Sequence, residues 1–263
     1  GRGRRIDTRH VLESYPHDAH DAGSAPMRIS LNHRLVVLGN RKCGSTTLDR
    51  YFRKVTEPLD EQCFSQHGSP RLITGYADFT FSEGTQSVLD RTLPKHYDAF
   101  QYRRLFDEID VDWEPLRKLV SIRNPWARAV STYKWDKTRG RKFDVKCNPQ
   151  AFEDFLMTFR GFGRIPLEHF TGVYGGDYAG ANFTVVRLED FAAQLPAIWQ
   201  DLGLPKRPPK AVPIANRRIT KANQPLGPAN TPNYVAWYTD LSRDFIQSLF
   251  REDIRVGRYE FGV

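Results

Sequence analysis

Two short stretches hold residues whose types and spacing could do chemistry. The first, "RLVVLGNRKCGSTTLDRYF" from Arg34 to Phe52, reads as a hydrophobic strand, a tight glycine turn and the start of a helix. That is how a phosphate-cradling loop is built: successive backbone N–H groups from Gly44 onward meet at a helix N-terminus, with the Ser45, Thr46 and Thr47 hydroxyls as further donors. The frame Gly39-Asn40-Arg41-Lys42-Cys43-Gly44 fits the G-x-x-x-x-G-K-[ST] loop of nucleotide kinases and ATPases until Ser45 stands where the lysine belongs. Lys42 can curl back over a bound anion and supply the missing charge. A glycine turn between strand and helix needs no ligand, but a basic pair inside the turn favours one.

The second stretch is "SIRNPWARAVSTY". Arg123 leaves the end of a buried strand, and Ser131 follows eight residues later, about two helical turns along, so both could reach one phosphate beside the helix start. Arginine suits that task because its planar fork grips phosphate oxygens in a bidentate way. Arg128 is either a third donor or surface charge. A nucleotide hydrolase would place an aspartate for Mg²⁺ after such a strand. This chain places arginine, which equips it for a second anion rather than a metal.

Three strand-and-helix units must position these residues. Leu35–Leu38 is a continuous apolar run bounded by Gly39, as expected of a parallel strand buried on both faces, and Ser45 or Thr46 then opens a helix with Leu48, Tyr51, Phe52 and Val55 on one side. Leu119–Ile122 is the second strand; Pro125 suits a first helical turn, and Trp126, Val130 and Tyr133 recur at core spacing. Phe183–Leu188 is the third, followed by a helix around Phe191–Leu202 that stops at Gly203-Leu204-Pro205. A closing helix is expected around Asn233–Phe250. The alternation predicts an α/β fold: a P-loop-like, three-layer α/β/α arrangement around a central parallel sheet. The long segments from Glu57 to Pro115 and from Gly140 to Ala181 are placed to carry substrate-binding loops.

The chain's 263 residues, 40% of them hydrophobic and 13% aromatic, can bury one large core. Residues 1–30 read as a polar N-terminal arm and 31–263 as a single domain. The arm's His10, His17 and His20 have no acidic or cysteine ligands at metal-site spacing, so no metal is expected there. Cys43, Cys63 and Cys147 show no metal-ligand spacing either, and a Cys63–Cys147 disulfide cannot be inferred. Lys and Arg outnumber Asp and Glu by 39 to 31, for a net charge of +8, which admits anionic ligands and anionic glycans. Long like-charge tracts are missing apart from Gly1-Arg2-Gly3-Arg4-Arg5, which weakens a nucleic-acid reading. No apolar run reaches the roughly 18 residues of a membrane span, and the start at Gly1 leaves room for an anchor or targeting segment that has been removed.

The pairing of K-x-G-S-T after the first strand with R-N-P-x-x-R-x-x-S after a later one resembles the sulfotransferases that use 3′-phosphoadenosine 5′-phosphosulfate (PAPS), above all the Golgi carbohydrate type and its bacterial and algal relatives. "VVRLEDF", the later "LGLP" and the closing "DFIQSLFREDIRVGRYEF" extend the resemblance over most of Arg34–Phe261. It implies that the first loop, with Arg41, Lys42, Cys43, Gly44, Ser45, Thr46 and Thr47, holds the 5′-phosphosulfate, and that Arg123 and Ser131 hold the 3′-phosphate. It implies sulfuryl transfer to an acceptor hydroxyl, release of 3′-phosphoadenosine 5′-phosphate (PAP), and no required metal. Arg41 departs from the family, which usually has proline there. A Golgi lumen location would follow for a trimmed eukaryotic enzyme and a cytoplasmic one for a bacterial enzyme.

A general base must take the acceptor's proton. His96, in "LPKHYDAFQYRRLFDEI", resembles the histidine of several Golgi-type enzymes, whereas Glu61, in "DEQCF", resembles the glutamate of the heparan-type branch. His67 and Asp78 are further candidates. The acceptor stays open among a carbohydrate hydroxyl, which leads and which basic residues would suit if the glycan is anionic, a small-molecule hydroxyl and a tyrosyl hydroxyl. The rival readings are a variant P-loop kinase and a glycan-binding module without catalysis.

Overall fold

The computed structural model describes residues 28–30, 33–52, 98–107, 111–138, 145–158, 165–204 and 234–263. In chain order these form β1 (Arg28–Ser30), β2 (Leu35–Leu38), α1 (Ser45–Phe52), α2 (Ala99–Asp107), β3 (Arg117–Ile122), α3 (Pro125–Thr138), α4 (Pro149–Thr158), α5 (Leu167–Thr171), β4 (Phe183–Arg187), α6 (Phe191–Asp201), α7 (Asp240–Leu249) and α8 (Arg251–Gly257). The chain divides into two compact units, with the division falling between Arg123 and Asn124 and again between Pro166 and Leu167. Among the described residues no helix is long and apolar enough to cross a membrane.

One unit is built on the sheet, whose strand order is β1-β2-β3-β4. Strands β2, β3 and β4 run parallel, with Leu38 beside Val120 and Ile122 beside Arg187. Every residue of β2 is buried, and so is β3 beyond Arg117; β2 is an unbroken apolar run, while β3 also buries Lys118 and Ser121. The short strand β1 adds an antiparallel edge, with Ile29 beside Val36; it lies in the stretch read from sequence as part of the polar arm. The coarse α/β expectation is therefore met, with three parallel strands at its centre. Helices α1 and α6 share an aromatic seam in which Phe52 stacks on Trp199 at 5.8 Å and Tyr51 meets the same indole edge-on at 5.7 Å. Helix α2 opens on a reciprocal cap, Asp98 accepting from the Gln101 N–H while the Gln101 side chain accepts from the Asp98 N–H. It seats Tyr102 and Phe106 against Trp113.

At the amino end of β3, Lys118 is buried. Its Nζ donates to the carbonyls of Glu114 at 3.0 Å and Ala181 at 3.2 Å and lies over the rings of Trp113 and Phe183. Burial pulls its pKa below the ordinary lysine range, and the Glu114 charge pushes the other way.

The other unit is helical. Tyr133 of α3 meets Phe152 and Phe155 of α4, and Trp237, at ring separations between 5.0 and 5.6 Å. The closing segment differs from the single helix expected around Asn233–Phe250. A 3₁₀ turn at Val235–Trp237 comes first, and α7 begins only at Asp240. The reason is local: Thr239 is extended and forms a capping box with Ser242, each side chain accepting the other's backbone N–H. A second helix, α8, then follows directly. Apolar periodicity carried the expectation across Thr239, and the cap overrules it.

Arg128 corrects a second expectation, because it is neither a surface charge nor an available donor. Its side chain is 0% exposed, as is that of Asp253 on α8, and the two are paired at 3.5 Å. The guanidinium also donates to the Ile165 carbonyl at 3.2 Å and lies over the Phe250 ring. One partner without the other would be a bare charge in a dry core. We expect Arg128→Met and Asp253→Leu to cost about 3–5 kcal/mol each, and the double variant to recover most of that loss. Urea unfolding checks this; single variants with wild-type midpoints would show that the pair is dispensable.

Candidate functional site

Strand β2 delivers the chain into the loop with its last residues buried through Gly39 and Asn40. The Cys43 N–H closes the turn on the Asn40 carbonyl at 3.3 Å. Two residues then adopt left-handed backbone, Lys42 at φ 63° and Gly44 at φ 87°. For Gly44 this is free, but for a lysine it is a strained state that persists only where the surroundings enforce it.

Arg123 supplies that enforcement. It is 8% exposed, and its Nη1 donates to the Lys42 carbonyl at 3.4 Å. The sheet register makes the contact possible: Leu38 lies beside Val120, so β3 runs two residues further than β2 before releasing Arg123 alongside the loop. The sequence predicted two separate anion sites here. In the structure their leading residues touch.

Beyond the turn, α1 starts at Ser45, as expected, and the Thr47 and Leu48 amides turn inward onto the Gly44 carbonyl at 2.9 and 3.1 Å. Those two amides are committed within the chain, so fewer donors remain than the sequence reading counted. Ser45 and Thr47 have buried side chains, while Arg41, Lys42 and Thr46 are half-buried. Cys43 is buried and is in no disulfide. Of the helix face predicted from spacing, Leu48, Tyr51 and Phe52 are in the core, and Val55 lies outside the described residues.

The loop rests on the β4–α6 connection. A Cβ added to Gly44 would fall 2.6 Å from Leu188 Cδ1 and 2.8 Å from Phe191 Cε2. This is the physical content of the "VVRLEDF" stretch: Phe183–Arg187 forms β4 as expected, less one residue, and the next turn brings two apolar side chains against the glycine. Arg187 pairs with Asp190 at 3.3 Å, and its N–H donates to the Gln194 side chain, which fixes that turn.

Ser131 stands half-buried on α3 in the helical unit. Asn124, which follows Arg123 and belongs to that unit, was given no role in the sequence reading. Its carboxamide oxygen accepts from the Ala127 N–H at 3.1 Å, its carbonyl accepts from the Arg128 N–H at 2.8 Å, and its Nδ2 donates to Tyr234 Oη at 3.2 Å. An Asn-Pro pair at a strand-to-helix junction was the available signal, since asparagine caps and proline starts helices. The base candidates His96, Glu61, His67 and Asp78, and with them Cys63, lie outside the described residues.

No family model matches the chain, and no curated protein sequence is similar enough to match it. Among solved structures, a sulfotransferase from Alicyclobacillus acidocaldarius is similar at 17% identity over 83% of this chain and 91% of that one, with a TM-score of 0.33. Similarity that distant has no functional weight. The chemistry is read from the loop itself.

Gly44 should be the loop's least replaceable residue. Gly44→Ala combines an unfavourable φ with a contact no side chain tolerates, and we expect it to lose about 1–3 kcal/mol of stability. Adding Leu188→Ala should relieve the nearer contact and leave the one with Phe191 and the backbone part. Chemical denaturation measures both, and a fully stable Gly44→Ala would contradict the packing described.

Proposed function

We propose that this protein transfers a sulfuryl group from PAPS to an acceptor hydroxyl, that of a carbohydrate in the leading reading, and that its sheet unit is the core of a P-loop-like, three-layer α/β/α fold. The observation that carries the proposal is the Arg123–Lys42 contact: a buried arginine at the end of the neighbouring parallel strand reaches the phosphate-loop backbone, where a nucleotide hydrolase would keep an acidic residue for Mg²⁺. The residues fit a doubly anionic nucleotide. The helix-start amides and the Ser45, Thr46 and Thr47 hydroxyls would serve one anionic group. The Arg123 guanidinium, which donates to the Lys42 carbonyl, would serve the other.

PAPS, when bound, supplies an activated sulfuryl group and leaves as PAP. The chain's own residues position and neutralise. The loop amides and the Ser45, Thr46 and Thr47 hydroxyls would orient the 5′-phosphosulfate for in-line attack. Lys42 would meet the negative charge that grows on the bridging oxygen as the sulfur–oxygen bond to phosphate breaks. Arg123 would grip the 3′-phosphate, with Ser131 as a second donor. The base would accept the acceptor's hydroxyl proton as the new oxygen–sulfur bond forms, so that the charge is balanced when PAP departs. A sulfuryl group carries less charge than a terminal phosphate, so lysine and backbone amides suffice in this reading without a metal.

Two variants separate binding from chemistry. With Lys42→Ala, PAP should still bind while turnover of PAPS falls about 10²-fold or more, as loss of a transition-state partner implies. With Arg123→Ala, calorimetry should find PAP binding strongly weakened and adenosine 5′-phosphate scarcely affected, because only PAP carries the 3′-group. Wild-type protein that prefers ATP with Mg²⁺ over PAP would overturn the reading in favour of a kinase. Labelled-sulfate assays across glycans, tyrosyl peptides and small alcohols identify the acceptor.

The base is decided by pH. If it is His96, the acidic limb of the rate profile should follow an imidazole, whose ordinary pKa is about 6.5, and His96→Ala should abolish that limb with most of the activity while leaving PAP affinity intact. Full activity of His96→Ala across the pH range would transfer the role to Glu61.

A further inference from the structure

The phosphate loop is held a second time, from the β4–α6 connection, and the winding of that connection decides which side chains meet it. Leu188–Asp190 is a 3₁₀ turn, closed by the Phe191 N–H on the Leu188 carbonyl. Side chains three residues apart eclipse one another in 3₁₀ winding, whereas α-helical winding would turn them about 60° apart. Leu188 and Phe191 therefore leave the turn on one side, and both meet Gly44: a Cβ there would lie 2.6 Å from Leu188 Cδ1 and 2.8 Å from Phe191 Cε2. The winding displaces a cap. Asp190 stands at the N-cap of α6, where an aspartate ordinarily accepts a backbone N–H, yet its side chain makes no such bond. Its carboxylate is paired with Arg187 at 3.3 Å, while the Arg187 N–H donates to Gln194 Oε1 at 3.0 Å.

We infer that Leu188 and Phe191 are positioning residues for the phosphate loop, and that Asp190 and Gln194 lock the turn that aims them. Gly44 has no side chain to fix its left-handed backbone, and the freedom that lets it bend would equally let it swing. Two apolar groups in the space a Cβ would fill close off that freedom. The Gly44 carbonyl then stays where it accepts the Thr47 and Leu48 N–H groups at 2.9 and 3.1 Å, so the first turn of α1 keeps its direction. Leu188 is only half-buried, so this leucine gains less from leaving water than a core residue would. Strand register puts the pair within reach: Ile122 lies beside Arg187, so β4 ends level with β3 and releases its turn at the edge that carries the loop.

One arm of the test is independent of any ligand. Leu188→Ala should speed amide exchange at Thr47 and Leu48, whose N–H groups bond Gly44, about tenfold, with exchange in β2 and β3 unchanged, and Leu188→Met should restore the wild-type rates. Gln194→Leu, which removes the acceptor of the Arg187 N–H, should give the same pattern in weaker form, and Gln194→Glu, which keeps an acceptor, should not. Unchanged exchange at both amides in Leu188→Ala and Gln194→Leu overturns the inference. The second arm rests on the hold on a 5′-phosphate proposed above for the loop. In calorimetric titrations Leu188→Ala should weaken adenosine 5′-phosphate and PAP alike, about tenfold, and leave adenosine 3′-phosphate unaffected, the reverse of the selectivity expected of Arg123→Ala. Weakening of adenosine 3′-phosphate by the same factor would mean that Leu188 is a packing residue with no positioning role. Wild-type protein that binds none of the three nucleotides would instead remove the sulfuryl-transfer reading, and the exchange result would still decide the role of the turn.

Discussion

A guanidinium held against a backbone carbonyl organises the site. Arg123 cannot be buried with its charge uncompensated, and Lys42 cannot sit in left-handed backbone without something to hold it there. The contact between them answers both needs at once. It exists because β2 and β3 are parallel neighbours whose carboxyl ends are offset by two residues. Ligand sites in open α/β sheets gather at that edge for the same reason: strand ends bring distant loops together while the buried sheet keeps them rigid.

Among the described residues three cations are buried, and each is compensated differently. Lys118, at the edge of the sheet away from the loop, is given carbonyls and aromatic faces but no carboxylate at its ammonium, and burial pulls its pKa down. Arg128 is given a carboxylate, Asp253, and serves the helical core. Arg123 is given a loop carbonyl, that of Lys42, which places a positive group at the glycine loop. Its neighbour Asn124 performs a different task, capping α3 and tying it to the closing segment.

Glycine at position 44 illustrates how a motif residue can have two separate causes. A loop that bends to aim its amides at an anion needs left-handed backbone there. Leu188 and Phe191 would exclude any side chain even if it did not. The second cause is about packing alone, so the glycine by itself says little about a ligand. The lysine two residues earlier is left-handed as well, and there the Arg123 bond to its carbonyl is the contact that holds it.

The sequence by itself determined the elements that dominate the sheet unit. Short, largely apolar runs located β2 and β3 to within two residues, the glycine-rich turn placed the start of α1, and Pro125 placed the start of α3. These are local facts, set by burial on two faces and by the backbone preferences of glycine and proline. Local pattern also misled where a cap interrupts periodicity, as at Thr239, which splits the closing segment. What only the tertiary structure decided are relations between residues far apart in the chain. The partner of Arg123 lies 81 residues away and the partner of Asn124 lies 110 away. The sequence could propose Arg128 as an anion donor because an arginine at helical spacing looks the same whether or not an aspartate waits across the core. Charge is written in the residue, but whether that charge is satisfied depends on what folding brings beside it.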